Sequence, residues 1–504
     1  MTTLALSAAD IATLPTDAVV VAIAPAGGRK KSSVLVGPAS ALKAAPKRKL
    51  EESLAALGAT GKAGDVVRLP GAGIVGAPVV VAVGLGAGPW SEEALRRAAG
   101  TAVRALAGTR RVALALPTDT AAALDAAAQG ALLGAYAYDA YRVDSKSAQK
   151  APVRSVTLHV ADAKDPASLA AVARAKVISG AVNLARDLVN APSIDLNPAA
   201  LVQAGADAVA GLAVEVEILD EEQLAAGGYG GILGVGRGSA NPPRLGRYAY
   251  RPAGAQAHLA LVGKGITFDT GGISIKPSAN MHEMKGDMGG AAAVIGAVAA
   301  IARLGLPVAV TAYVCAAENM PSGTAIKPGD VLHTYSGKTI EVLDTDAEGR
   351  LVLSDGLTRA QEDKPDVIID VATLTGAAVV ALGARTTGIM ANDDDLREAV
   401  HDASKRAGEP MWPMPQPEEL RAHLDSSLAD IANIPLAGRR DGGMLSASIF
   451  LREFVADTQR WAHLDIAGPS YNAYAPYAYT PKGGTGAAVR TLVQVAEDLA
   501  NDAL

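Results

Sequence analysis

The sequence predicts an α/β protein of two domains, a smaller N-terminal α/β domain and a larger C-terminal α/β/α domain with a mainly parallel central sheet. The chain has 504 residues, more than one ordinary hydrophobic core organises. Short β-branched runs alternate with longer helical stretches in both halves, which is typical of α/β domains. Charged residues make up 19% and hydrophobic residues 49%, so the chain is expected to fold rather than stay disordered.

The N-terminal domain is expected to span residues 1–164. Ser91, followed by Glu92 and Glu93, predicts the start of a helix whose body reaches Leu106. We find in this part no cluster of acids, histidines and glycines that would form a site. The continuous apolar runs that predict buried strands lie at 18–23, 78–83, 111–116 and 156–160.

A connecting helix is predicted over residues 165–190. Asp165 is a suitable N-cap and Pro166 suits the first helical position, whereas Pro192 and Pro198 interrupt the chain beyond the helix.

The C-terminal domain is expected over residues 191–504. Strand runs lie at 258–262, 307–315, 339–343 and 365–371, each followed by a glycine-containing loop. Helices are expected to start near Met288, Arg350 and Thr375. Sites in open α/β sheets form at the carboxyl ends of the strands, so these loops are the place to look for one.

Two glycine-rich stretches are weak motifs. Residues 71–76 match the G-x-G-x-x-G pattern, but residues 77–83 read as a strand, so the dinucleotide-binding interpretation fails. Residues 227–238 lack the lysine and Ser/Thr of a phosphate loop and are interpreted as a flexible surface turn. The seven histidines are scattered singly and are expected to be structural.

Bulk properties indicate a cytoplasmic protein. A net charge of −6 gives no general attraction to nucleic acid or anionic membrane. Cys315 is the only cysteine and lies in an apolar run, so a buried, inert thiol in a reducing compartment is expected. The N-terminus lacks the pattern of a signal peptide, and the apolar stretch 289–306 reads as a buried helix.

A set of lysines and carboxylates in two glycine-rich loops is the strongest indication of function. Four acids close together in a cleft cannot all stay ionised without a positive counter-charge. Because the donors are almost all oxygens, hard or borderline divalent metal ions are favoured over a structural network of salt bridges. The set consists of Lys264, Asp269, Lys276, Asp287, Asp346, Glu348 and Arg350.

These residue types suit hydrolysis. Two metal ions ~3.5–4 Å apart can activate a water molecule and polarise a carbonyl or phosphoryl oxygen. A lysine that stays protonated can stabilise an oxyanion, whereas a lysine that binds a metal must be neutral.

The sequence resembles the leucyl aminopeptidases, the cytosolic di-metal family known as peptidase family M17. The resemblance covers most of the chain after residue 185 and implies that residues 191–504 form a di-metal catalytic domain. It rests on residues 262–276, 284–290 and 345–351, and further on 190–192, 317–319, 371–376, 463–468 and 483–486.

The resemblance implies a ligand set for two divalent ions, Mn²⁺ or Zn²⁺. Asp269 and Glu348 would bridge the two ions. Lys264 and Asp287 would complete one metal site, and Asp346 the other.

The resemblance also implies roles for residues around the metals. Lys276 would be the electrophilic catalyst, and Arg350 would hold a bicarbonate ion that acts as general base. Met284, Thr373 and Gly376 would bind the side chain of the substrate's N-terminal residue.

The implied activity is removal of leucine-like N-terminal residues from peptides by a homohexamer. Asp344 stands where the family usually has Asn, which is expected to change local hydrogen bonding without loss of activity. A phosphoesterase with the same ligands remains an alternative, although it would need more positive charge. DNA binding has support only from the basic clusters 29–31 and 47–49.

Overall fold

The computed structural model describes residues 2–27, 32–436 and 441–502. The chain forms two compact units. The first contains Met1–Gly180 and Tyr474–Lys482, and the second contains Ala181–Ala473 and Gly483–Leu504. The division falls inside a long helix, and the ranges 1–164, 165–190 and 191–504 stay a prediction of domain organisation. The basic cluster 29–31 lies outside the described residues.

The first unit contains a seven-stranded sheet, counted over the described residues. Its order is β1-β7-β6-β2-β5-β4, with β3 paired to β2, and only β3 and β4 run antiparallel to their partners. The strands are β1 Thr3–Ser7, β2 Ala18–Pro25, β3 Ser33–Val36, β4 Val66–Pro70, β5 Val79–Gly84, β6 Arg111–Ala115 and β7 Ser155–His159. The helices are α1 Ala44–Ala56, α2 Glu92–Ala105 and α3 Ala121–Gly134.

Both faces of this sheet are buried. Along β2, Ala18 and Val20 pack into one hydrophobic cluster, whereas Val19 and Val21 pack into another. Successive residues of a strand face opposite sides of a sheet, so both clusters need apolar side chains. This explains why the strand has a continuous apolar run, as predicted.

Local sequence features shape the ends of elements in the first unit. The Ser91 side chain accepts a hydrogen bond from the backbone N–H of Ala94, which confirms it as the N-cap of α2. The G-x-G-x-x-G stretch, residues 71–76, connects the antiparallel strands β4 and β5 and has no helix after it. A late segment of the chain completes this unit, because Tyr479 Oη donates to Glu93 Oε1 at 2.8 Å.

The second unit is built on an eight-stranded sheet, again counted over the described residues, with the order β16-β15-β18-β14-β10-β11-β9-β8. Its strands are β8 Val214–Leu219, β9 Arg244–Tyr250, β10 His258–Asp269, β11 Ala309–Asn319, β14 Val367–Ala372, β15 Thr387–Ala391, β16 Met411–Pro413 and β18 Arg460–Asp465. Two small sheets contain β12 Val331–His333, β13 Thr339–Glu341, β17 Ile431–Ala432, β19 Tyr471–Asn472 and β20 Gly483–Gly484.

Helix α4, Pro166–Asn190, runs from the first unit into the second. The other helices of the second unit are α5 Pro198–Ala208, α6 Glu221–Gly227, α7 Gly230–Gly236, α8 Gly289–Leu304, α9 Gly349–Glu362, α10 Gly376–Leu382, α11 Asp394–Ala407, α12 Gly443–Arg452 and α13 Val489–Ala500.

Helices cover both faces of the central sheet. The four central strands, β18, β14, β10 and β11, are parallel. On β10, Val262 faces Gly356 of α9, and the next residue, Gly263, faces Ala291 of α8. Because neighbouring residues of a strand point to opposite faces, α8 and α9 lie on opposite sides of the sheet. The α/β/α architecture with a mainly parallel sheet is thereby confirmed.

The glycine-rich stretch 227–238 is not a flexible surface turn, and that prediction was wrong. It contains α7, in which Ile232 and Val235 are buried. A Cβ atom on Gly231 would lie 2.2 Å from the carbonyl oxygen of Leu351, so glycine allows α7 to pack against α9. Asp355 Oδ2 accepts a hydrogen bond from the backbone N–H of Ile232 at 2.9 Å.

The run 339–343 was also expected to join the main α/β pattern. The structure instead places β13 in a three-stranded sheet with β12 and β17. The run is short and only partly buried, so its sequence resembled a strand without indicating which sheet it would join.

In the part of the chain that the structure describes, two helices have the length and apolar composition to cross a membrane, Pro166–Asn190 and Met281–Leu304. Core helices of folded domains can be equally long and apolar. In the second helix, 78% of the most apolar stretch is buried inside the structure. They are therefore weak evidence for a membrane segment. Cys315 is buried in β11, as predicted.

A partly buried ion pair ties β9 to the end of α9. Arg247 Nε and Nη2 donate to the two carboxylate oxygens of Asp363 at 2.9 and 3.0 Å, and Tyr313 Oη also donates to Asp363. Burial acts to raise the pKa of Asp363, but Arg247 and Tyr313 outweigh it and lower this pKa to about 2. The ionised carboxylate therefore stabilises the fold above pH 4, and this contribution is lost as the pH falls toward 2.

We predict that Asp363→Ala lowers the free energy of unfolding by about 3 kcal/mol at pH 7, because Arg247 is left buried without its main partner. Urea denaturation measures this. The wild type should also lose roughly 2 kcal/mol between pH 4 and pH 2 that the variant does not lose. As a control, Asp394→Ala removes an exposed ion pair with Arg397 and should cost less than about 1 kcal/mol. Equal stability of both variants would contradict the prediction.

Candidate metal centre

The charged residues singled out from the sequence gather at the carboxyl edge of the central sheet. The parallel strands β10, β11, β14 and β18 end together at this edge. Lys264 and Asp269 lie on β10 itself, which ends at Asp269. Asp287 lies two residues before α8, and Glu348 directly precedes α9.

Lys264 is buried between two acids. Its Nζ atom lies 2.8 Å from Asp287 Oδ2 and 2.8 Å from Glu348 Oε1, and it donates to the carbonyl oxygen of Thr373 at 2.9 Å. Burial acts to lower the pKa of this lysine, but the negative charges of Asp287 and Glu348 outweigh it and raise the pKa. The side chain passes directly over Gly349, where a Cβ atom would lie 2.6 Å from Lys264 Cε.

Lys276 forms a second bridge between acids. Its Nζ atom lies 2.7 Å from Asp269 Oδ2 and 2.5 Å from Asp346 Oδ1. Burial acts to lower the pKa of Lys276, and the charges of Asp269 and Glu348 raise it above the usual value. The side chain is 22% exposed, whereas that of Lys264 is 3% exposed. Lys276 therefore faces solvent from the edge of the cluster and Lys264 lies within it.

Three of the acids could hold one ion together. Asp269, Asp346 and Glu348 each offer an oxygen atom, and these atoms lie within 4.8 Å of one another. Burial and the charge of Asp269 raise the pKa of Glu348, so its ionised form lacks a sufficient counter-charge. Glu348 Oε2 is buried without a hydrogen-bond partner among the described residues. This buried, oxygen-rich donor set fits hard or borderline divalent ions.

Arg350 provides a cation in the first turn of α9. Its Nη1 atom donates to the carbonyl oxygen of Asn433 at 2.6 Å, and its guanidinium carbon lies 5.9 Å from the centre of the Phe450 ring. Burial lowers the pKa of Arg350 to about 10, although Glu348 acts in the opposite direction. The Nε atom is buried without a hydrogen-bond partner among the described residues, so it can donate to a bound anion.

Asp344 supports the loop that carries the acids. Its Oδ1 atom accepts a hydrogen bond from the backbone N–H of Asp346 at 2.9 Å. The side-chain carbonyl oxygen of Asn can accept the same hydrogen bond. The substitution of Asp for Asn at this position therefore keeps the local turn.

Of the three residues expected to bind a substrate side chain, Thr373 and Met284 adjoin Asp287, and Gly376 begins α10. Thr373 Oγ1 donates to Asp287 Oδ1 at 2.7 Å, which places Thr373 beside one acid. Met284 lies in the 3₁₀ turn Met281–Gly286 that leads to Asp287. Gly376 is the exposed first residue of α10, and a Cβ atom there would have no neighbour within 4 Å among the described residues.

Two buried asparagines at the site were not assigned roles from the sequence. Asn319 Nδ2 donates to Asp269 Oδ1 and to the carbonyl oxygen of Thr345. Asn433 Nδ2 donates to the carbonyl oxygen of Asp344, and Asn433 Oδ1 accepts from the backbone N–H of Leu343. Asn319 belongs to one of the stretches that carry the resemblance, but no local pattern marks Asn433.

His463, at the same edge, has a structural contact. Its Nδ1 atom lies 2.6 Å from Asp370 Oδ1, and both side chains are fully buried. Trp461 Nε1 donates to the other oxygen of Asp370 at 2.8 Å. The acid is therefore held by two ring nitrogens from β18.

Comparison with family models gives two matches. The model described as the cytosol aminopeptidase family, catalytic domain, matches residues 183–493. The model of the N-terminal domain of the same family matches residues 20–145.

Similar proteins match this chain over nearly their whole length. Probable cytosol aminopeptidases of Streptomyces avermitilis and Streptomyces coelicolor are both 53% identical to the chain, with 99% of this chain and 98% of each relative covered. The bottromycin maturation enzyme BotP in complex with Mn is 39% identical, with a TM-score of 0.83 over 96% of this chain and all of BotP. A mutant tomato leucine aminopeptidase is 30% identical, with a TM-score of 0.86 over 99% of this chain and 96% of that protein.

Proposed function

Because the chain belongs to the cytosol aminopeptidase family, whose members are metal-dependent aminopeptidases, we propose that it removes leucine-like residues from the N-termini of peptides by a two-metal mechanism. The observation that carries this proposal is the group of three acid oxygens within 4.8 Å of one another, flanked by two lysines of different exposure.

The proposed ligand set assigns five residues to two divalent ions. Asp269 and Glu348 would be shared, Lys264 and Asp287 would complete one site, and Asp346 would complete the other. Support comes from Lys264 Nζ, which lies 2.8 Å from oxygens of both Asp287 and Glu348. To act as a ligand, Lys264 must release the proton that now balances these two acids, so we expect metal binding to release protons.

The proposed mechanism gives the two lysines different roles. When bound, the ions would supply a nucleophilic water and a Lewis acid for the scissile carbonyl group. Lys276 is the more exposed lysine, and a lysine in contact with solvent is protonated at neutral pH. It would face the carbonyl oxygen and stabilise the negative charge that develops there. Lys264 is buried too deeply to take that role.

Arg350 is proposed to hold a bicarbonate ion. Its buried Nε–H group has no acceptor among the residues that the structure describes and can donate to an anion, and its Nη1 atom is fixed by Asn433. The bicarbonate would be the general base, since the carboxylates at the site are assigned to the metals. Met284, Thr373 and Gly376 are proposed to bind the leucine-like side chain.

The identity of the ions is proposed as Mn²⁺ or Zn²⁺, because both suit carboxylate and amine ligands. The similar BotP was solved in complex with Mn, which supports Mn²⁺.

We also propose a cytoplasmic homohexamer whose enclosed sites would exclude folded proteins. Sedimentation velocity of the purified protein should give a mass near six chains, and a stable monomer would contradict this proposal.

The central prediction concerns metal dependence and the free amine. Chelator-stripped protein should not cleave a leucyl amide, and Mn²⁺ or Zn²⁺ should restore cleavage. The N-acetylated leucyl amide should stay intact, because the mechanism requires a free α-amine. Release of a chromophore from both substrates measures this, with a phosphate ester alongside. Cleavage of the phosphate ester alone would favour the phosphoesterase alternative.

We predict that Lys276→Ala lowers kcat by about 10²–10³-fold, since it removes a donor to the developing oxyanion. Metal content and the unfolding temperature should stay close to the wild type. Lys327→Ala, which removes only an exposed partner of Asp330, is the matched control and should keep full activity. Wild-type turnover of the Lys276→Ala variant would rule out this role.

A further inference from the structure

Asn319 connects the two segments that carry the clustered acids. It is the last residue of β11 and is 2% exposed. The pairing of β10 with β11 shifts by one residue between Ile266 and Asp269, so that Asp269 lies opposite Asn319. Irregular pairing of this kind re-aims side chains and is frequent beside active sites.

The amide of Asn319 contacts Asp269 and the acid-bearing loop together. Nδ2 donates to Asp269 Oδ1 at 2.9 Å and to the carbonyl oxygen of Thr345, the residue before Asp346, at 3.0 Å. Both N–H groups are therefore used, and their acceptors belong to segments more than 70 residues apart in the sequence. One side chain thus links the end of β10, which carries Asp269, to the loop that carries Asp346.

The two carboxylate oxygens of Asp269 have different partners. Oδ1 accepts from Asn319 and from the backbone N–H of Gly271 at 2.8 Å. Oδ2 lies 2.7 Å from Lys276 Nζ, at the centre of the charged cluster. Two neutral donors therefore fix the rotation of the carboxylate and leave its negative charge in place. A lysine or arginine donor would neutralise that charge.

Asn319 is itself held firmly. Its carbonyl oxygen accepts from the backbone N–H and from the hydroxyl of Thr270, at 3.0 and 2.8 Å. On the other side, a Cβ atom at Gly272 would lie 2.7 Å from Asn319 Oδ1. Gly272 has a φ of 65°, which favours glycine, so the loop can pass close to the amide.

We propose that Asn319 is a positioning residue that orients Asp269 toward Asp346 and thereby sets the affinity for the ion held by Asp269, Asp346 and Glu348. This inference rests on the proposed metal site and adds a residue that does not itself bind the ion. Groups that hold metal ligands in place typically change metal affinity by 10–100-fold when they are removed.

The test compares Asn319→Leu and Asn319→Ala with the wild type in the full chain. Both variants remove the two donors without adding charge, and Leu keeps the branched shape of Asn. Titration of chelator-stripped protein with Mn²⁺, followed by calorimetry, should show that one ion binds about 10–100-fold more weakly. At saturating Mn²⁺, kcat should fall while KM for a leucyl peptide changes little. The absorption spectrum of the Co²⁺-loaded variants should differ from that of the wild type.

Asn392→Leu is the matched control. Asn392 follows β15 at the opposite edge of the same sheet, where it donates to the carbonyl oxygen of Gln459 and accepts from the backbone N–H of Trp461. Its loss should lower the unfolding temperature and leave Mn²⁺ affinity unchanged. If the Asn319 variants behave like this control, Asn319 has a structural role only and the inference is wrong. If the wild type binds no Mn²⁺, the proposed function fails instead.

Discussion

Charge balance among buried groups at one sheet edge is the constraint on which the catalytic unit depends. Asp269, Asp287 and Glu348 are buried. Lys264 lies between Asp287 and Glu348, and Lys276 lies between Asp269 and Asp346. Burying an ionised carboxylate is costly unless positive charge or hydrogen bonds compensate it. The raised pKa values of Asp287 and Glu348 indicate that two lysines do not compensate fully. The arrangement is therefore suited to receive additional positive charge.

The fold supplies this edge by ordinary packing rules. Four parallel strands end together, and helices on both faces of the sheet require mostly apolar side chains in the strand bodies. Asp370 and His463, inside the strand bodies, pair with each other, whereas Asp269 lies at the end of β10 and can face a ligand there. Glycines let the elements approach, as at Gly290, where a Cβ atom would lie 1.9 Å from the carbonyl oxygen of Val371. The apolar layer below the acids lowers the local dielectric constant and so strengthens the electrostatic interactions at the site.

The sequence predicted the layers and the gathering of acids, because both follow from short-range patterns. Lys264 and Asp269 lie on a recognisable strand, and Glu348 precedes a recognisable helix. The contacts that fix the site could not be predicted in the same way. Asn433 lies in a short strand connection and reaches Asp344 and Arg350 through hydrogen bonds across more than 80 residues. The stretch 227–238 was wrongly predicted to be a surface turn. Its glycines allow α7 to pack closely against α9, and this contact depends on residues distant in the sequence.

The segment Tyr474–Lys482 has a consequence for the order in which the protein is made. It belongs to the first compact unit, although more than 290 residues of the chain separate it from the rest of that unit. Its Tyr479 side chain packs against Gly100, where a Cβ atom would lie 2.5 Å from Tyr479 Cβ. During synthesis, domains generally fold as they emerge, N-terminal part first. The N-terminal unit therefore stays incompletely packed until residues 474–482 have left the ribosome.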